Sequence, residues 1–282
     1  MARTDNLSNF LTDVADAIRA KKGTSETINA SDFDTEIENL PSAGGDLDEY
    51  INTTISEDTA YNNTFTDRFI IKPLEININS NVTSLASAFA YFPAEIIFKN
   101  VDTSNVTTMQ NMFSNSAKIK NIDLSKFDFS NVINITYMFQ NCSNLKTVNF
   151  GNATFSNFTG VFERIFGGCF SLEEVDTSKF SSTVQAPRYM FSGCSKLKRI
   201  DLSGLNVSGG FMWGNFENCT SLEFLDIRKF DLTSFSQFNV NNFTGVPANC
   251  EIIVGTENDK NAILNLRSDF TNVKTAEEYE AE

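Results

Sequence analysis

Met190-Phe-Ser-Gly-Cys-Ser-Lys-Leu-Lys-Arg-Ile-Asp-Leu-Ser-Gly-Leu205 is the stretch from which the rest of the chain can be read. Its phenylalanine recurs. Phe89, Phe113, Phe139, Phe166, Phe191, Phe216 and Phe243 follow one another at spacings of 24, 26, 27, 25, 25 and 27 residues. Aligned on that residue, other columns appear. Three positions on stand Ser116, Cys142, Cys169, Cys194 and Cys219; six on, Ile119, Leu145, Leu172, Leu197 and Leu222; nine on, Ile122, Val148, Val175, Ile200 and Leu225. A period of this size marks a repeat architecture, because each unit is too small to bury its own apolar face and must stack on its neighbours. The segment L-x-x-V-x-[LF] alternates at its end as a half-buried strand does, so each coil should supply one short strand.

The same spacing fits the strand of a leucine-rich repeat. The fold expected is therefore an α+β repeat: a leucine-rich-repeat solenoid of about seven coils of 24–27 residues over residues 69–254, with an N-terminal two-helix module. The stretches Met190–Leu205 and Val101–Ser116 (VDTSNVTTMQNMFSNS) resemble the BspA-type leucine-rich repeats. Such repeats occur in bacterial surface proteins and in phages of Gram-positive hosts. The resemblance implies the fold and a binding role, but not a ligand.

Four of the five cysteines fill one column, which predicts a reduced, buried ladder of small apolar side chains. No C-x-x-C metal spacing is present. Ten positions after the phenylalanine, Asp123, Asp176, Asp201 and Asp226 form an acidic column, joined by Asn149. This column is read either as a calcium or glycan site or as carboxylates bonded to backbone N–H groups and basic neighbours. Lys120, Lys146, Glu173, Lys198 and Glu223, flanked by Arg199 and Phe224, should form one mixed-charge strand face, the place where repeat proteins commonly bind. The repeat is broken at 155–162, 184–188 and 207–213, read as loops. The last carries Trp213, the only tryptophan, which either stacks on a sugar, anchors a partner or packs over a coil end.

The ends are not repeats. Leu7, Phe10, Leu11, Val14 and Ile18 fall on one helical face, and Ser31 opens a second short helix carrying Phe33, Ile37 and Leu40. Residues 1–41 are thus read as a docking module, 42–68 as linker and solenoid start, and 255–282 as a C-terminal cap with Thr256 and Thr275 as helix caps. Tyr50–Ile55 and Phe69–Lys72 read as the first strands. Residues 6–40 also resemble a short N-terminal segment common in tail and minor structural proteins of Gram-positive phages, through Ala15–Arg19, the Lys-Gly-Thr turn and the Ser-Asp-Phe helix start.

Composition narrows the function. Lys and Arg number 22 against 36 Asp and Glu, a net charge of −14, which disfavours nucleic acid. No apolar run is long enough for a membrane helix, and the first residues lack a secretory signal core. The absence of histidine removes Ser-His-Asp and His-ligated metal chemistry, and no phosphate-cradling glycine loop is present. The expectation is a non-enzymatic protein without cofactor. The phage resemblance implies a virion structural protein of tail or fibre type, docked to tail or capsid proteins through its N-terminus and binding a bacterial cell-surface glycan or protein. A second copy of the chain, as a homo-oligomer, is a further candidate partner; a capsid decoration or head-fibre protein without a receptor role and a bacterial protein–protein interaction module are the alternative functions.

Overall fold

In the computed structural model, the structure describes residues 52–55 and 73–282, less 93, 154, 156–160, 179 and 182. The helices expected over 1–41 and the strand at Phe69–Lys72 lie outside the described residues. The chain winds into a β-solenoid of about eight turns, against about seven expected. The solenoid starts with parallel strands Asn52–Ile55, Leu74–Ile78 and Ile96–Val101. Strands of three residues or fewer then recur once per coil, at Asn121–Asp123, Thr147–Asn149, Glu174–Val175, Arg199–Asp201 and Phe224–Asp226.

Their register follows the apolar column. Ile122 lies beside Val148 and Val148 beside Val175; Ile200 lies beside Leu225, and Leu225 beside Ile252. These side chains point inward because the strand alternates with period two. Between Val175 and Ile200 the ladder is interrupted, and Thr177 Oγ1 accepts from the Asp201 N–H at 2.9 Å instead.

The repeated phenylalanine forms the spine. Rings of Phe89, Phe113, Phe139, Phe166 and Phe191 stack nearly parallel, with centroids 5.3–5.6 Å apart and interplanar angles of 2–13°. Phe216 and Phe243 form a further stacked pair, 5.9 Å apart. All seven are fully buried. The cysteine ladder is buried and unpaired, as its column predicts. Each thiol also serves the backbone: Cys142 donates to the Phe113 carbonyl at 2.9 Å, Cys169 to Phe139 at 3.1 Å, Cys194 to Phe166 and Cys219 to Phe191, both at 3.2 Å. Ser116, in the same column, does the same for Phe89 at 2.6 Å. Burial pushes the Cys142 and Cys219 thiols up to about 12 and those of Cys169 and Cys194 well above their usual range.

The backbone hand repeats as well, a feature the apolar columns do not announce. Two positions before and two after the phenylalanine, the backbone is left-handed: Asn111 and Asn115 have φ of 55° and 61°, Tyr189 and Gly193 of 51° and 82°. Alternating hands aim every second N–H along the solenoid axis. Tyr189 N–H reaches the Trp213 carbonyl at 2.7 Å, Phe191 the Asn215 carbonyl at 2.9 Å, and Gly193 the Glu217 carbonyl at 2.7 Å. The second position after the phenylalanine shows its requirement in sequence, holding Asn115, Asn141, Gly168, Gly193, Asn218 and Gly245, with Tyr91 after Phe89 the exception at φ 57°.

Two stretches expected as loops are strands. Thr183–Arg188 pairs with Val161–Glu163 and with Asn206–Ser208, which in turn pairs with Phe230–Asp231. Phe211–Met212 pairs with Gln237–Phe238. These segments depart from the repeat's consensus residues but keep its path, so their irregular sequence hides regular pairing. The same holds for Phe162, buried within a strand, while 156–160 lie outside the described residues.

At the C-terminus, Val273–Thr275 adds a further strand, with Ile252 beside Val273. Helices α1 (Glu257–Leu266) and α2 (Ala276–Glu280) each begin with a capping box, built by Thr256 with Asp259 and by Thr275 with Glu278. Asp259 also accepts the Leu232 N–H at 2.9 Å, tying α1 to the preceding coil. Among the described residues no helix is long and apolar enough to cross a membrane.

Candidate binding surface

The strand face is occupied by its own pairs. Lys146 meets Glu173 at 3.5 Å and Lys198 meets Glu223 at 2.8 Å, each pair spanning adjacent coils. The Lys198 ammonium is held above its ordinary range by its hydrogen bond to Glu223. Lys120 is exposed one coil earlier, and its N–H donates to Glu95 at 3.0 Å. Arg199 bonds Asp201 at 3.1 Å and lies over the Phe224 ring at 3.6 Å. Phe224, expected at the surface, is only 8% exposed, with Tyr279 of α2 6.1 Å from it. The C-terminal cap therefore closes the last part of this face.

The acidic column is taken up by turns. Oδ1 of Asp123, Asp176, Asp201 and Asp226 each accepts the N–H two residues on, from Ser125, Ser178, Ser203 and Arg228, at 3.0–3.1 Å. A short acceptor side chain at this offset closes the turn that ends each strand. Asp123 also accepts from Asn149 at 3.0 Å, and Asp226 is buried against the Arg228 guanidinium at 2.7 Å. Among the described residues no cluster of three or more metal-ligating side chains occurs.

A different face carries the strained turns. Two positions before the phenylalanine the coils place Ser87, Asn111, Tyr137, Arg164, Tyr189 and Gly214 in succession, all left-handed. Asn and Gly accept this conformation readily; for Tyr and Arg it costs about 1–2 kcal/mol each. Strain at three consecutive coils (φ 61°, 49° and 51°) is retained beside a set of surface aromatics. The Arg164 guanidinium lies over the Tyr189 ring at 4.2 Å, and that of Arg188 is 5.9 Å from the Phe211 ring. Burial and a hydrogen bond to Glu163 raise the Tyr137 phenol above its ordinary range. Arg188 Nε is a buried nitrogen without a partner among the described residues.

Trp213 follows, 38% exposed, its indole N–H held by Gln237 Oε1 at 2.9 Å. Gly214 lets the Tyr189 ring lie close: a Cβ there would stand 2.6 Å from two ring carbons. Between Tyr189 and Trp213 opens a cleft of about 390 Å³, also lined by Gly214, Glu217, Gln237, Asn239 and Asn241. Sequence reasoning singles out Trp213 but misses its neighbours. The available signal is the column holding Tyr137, Arg164 and Tyr189 where other coils use Ser, Asn or Gly.

The repeat family profile, BspA type leucine rich repeat region (6 copies), matches residues 53–185 and 107–247, most of the chain. The chain belongs to the BspA-type leucine-rich-repeat family. Neither a curated protein nor a solved structure matches it. The BspA-type solenoid suggests a surface protein–protein interaction module, and leucine-rich-repeat solenoids are typically non-enzymatic scaffolds.

Proposed function

We propose that this BspA-type chain is an adhesin-like binding protein whose solenoid engages a bacterial cell-surface glycan or protein through the aromatic turn face. The observation that carries the reading is the set of strained or exposed aromatic side chains, Tyr137, Tyr189, Phe211 and Trp213, on the segments that precede the repeated phenylalanine, while Lys146, Glu173, Lys198 and Glu223 of the strand face are paired with one another. Exposed aromatics supply contact area at small entropic cost, which is how an extended surface gains affinity from modest contacts.

The resemblance of residues 6–40 to phage structural proteins supports a virion setting. In this reading residues 1–41 dock the chain on tail or capsid proteins, using Leu7, Phe10, Leu11, Val14 and Ile18 with Phe33, Ile37 and Leu40. Several copies on one particle would multiply weak contacts. The test uses the full chain and intact cells of its source bacterium. Saturable binding to cells, with gold-labelled antibody decorating phage particles from the same lysate, supports both parts. Absence of cell binding overturns the adhesin reading, and unlabelled particles overturn the virion setting.

A further inference from the structure

We propose that the cleft between Tyr189 and Trp213 is a subsite for an uncharged, hydroxyl-rich pyranose of a cell-surface polysaccharide. This deepens the adhesin reading and rests on it. Three observations converge. The walls are aromatic: Trp213 is oriented by its bond to Gln237, and Tyr189 is laid against Gly214, whose missing side chain makes room for the ring. The C–H face of a pyranose packs on the Trp213 indole, while Tyr189, one ring face of which carries the Arg164 guanidinium at 4.2 Å, forms the opposite wall; both side chains lose little freedom on binding.

The cleft's polar groups are of the right kind. The Gln237 amide nitrogen, the Asn239 amide nitrogen, the Asn241 side chain and the Glu217 carboxylate have no partner among the described residues. The Gln237 and Asn239 nitrogens are donors, the Asn241 amide offers a donor and an acceptor on one planar group, and a carboxylate accepts two hydroxyls, so this set matches a ring of vicinal hydroxyls. The Asn239 carboxamide oxygen accepts the Asn241 backbone N–H at 3.0 Å, which holds the Asn239 side chain in place.

The charge selects against anions. Glu217 is the only charged residue among those lining the cleft, on a chain of net charge −14. A uronate or phosphate-bearing sugar would meet that carboxylate at short range. Of the arginines on this face, Arg164 lies over the Tyr189 ring and Arg188 is 5.9 Å from the Phe211 ring; neither lines the cleft.

Because Trp213 is the only tryptophan, its emission reports the cleft alone. The full chain is titrated with neutral probes (oligomers of glucose, galactose, mannose, rhamnose and N-acetylglucosamine) and with galacturonate oligomers and glycerol-phosphate polymer. The expected result is a saturable emission shift with at least one neutral probe, weakened roughly tenfold or more by Gln237→Ala and by Tyr189→Asn. Asn tolerates the left-handed backbone, so Tyr189→Asn should keep the melting temperature. No shift with any neutral probe, a shift with anionic probes only, or one unchanged in both variants overturns the proposal. Cell binding separates the two levels. Wild-type binding that Trp213→Ala leaves intact sinks the subsite and spares the adhesin reading; no wild-type binding sinks the adhesin reading itself.

Discussion

The two long faces of the solenoid use the same repeat in opposite ways. On the strand face Lys146 pairs with Glu173 and Lys198 with Glu223 across adjacent coils, Arg199 pairs with Asp201 on its own strand, and Phe224 is closed by the C-terminal cap, while Lys120 stands exposed. On the turn face the coils place bulky side chains where the backbone favours Asn or Gly, and leave Trp213, Glu217 and the amides around them facing a cleft. Regularity marks the surface that satisfies itself. Local departures from it, made at a cost in strain, mark the surface that the proposed reading assigns to a partner.

The contrast can be broken or sharpened by substitution. The largest effect should come from the spine beneath both faces. Phe139→Ala removes a ring stacked on both neighbours and should cost about 3–5 kcal/mol, read by chemical denaturation. Next, the cysteine ladder should resist alkylation. With Cys142 and Cys219 pushed up to about 12, their reaction with iodoacetamide at pH 8 should be about a thousandfold slower in the folded chain than after denaturation. Rapid labelling of the folded protein would mean that the coils open locally.

On the turn face, Trp213→Ala should weaken cell binding roughly tenfold or more while the melting temperature stays within about 2 °C, since Trp213 is partly exposed and outside the buried core. On the strand face, Glu223→Ala breaks an exposed pair and should change stability by about 1 kcal/mol or less, leaving cell binding unaltered. A strand-face variant that abolished binding while still folded would reverse the assignment of the two faces.

Much of the fold is legible in the amino-acid sequence. The phenylalanine period announces the solenoid, and the nine-on column announces which strand residues point inward, because burial acts on every coil alike. The roles of Thr256 and Thr275 follow from capping-box spacing. What stays hidden depends on backbone hand and on neighbours remote in sequence. Nothing local says that Tyr189 is left-handed, that Tyr279 reaches Phe224, or that Gln237 holds the Trp213 indole one coil away. Thr183–Arg188 passes for a loop because Gln185, Ala186 and Pro187 do not alternate as a strand's residues usually do, and the pairing comes from the stacked coils.

The most direct test of the central claim compares three full chains side by side in binding to intact cells of the source bacterium: wild type, Trp213→Ala, and a variant with Lys146, Glu173, Lys198 and Glu223 all changed to Ala. The account predicts that the first and third bind alike and the second binds roughly tenfold or more weakly. Loss of binding in the third with retention in the second would contradict it.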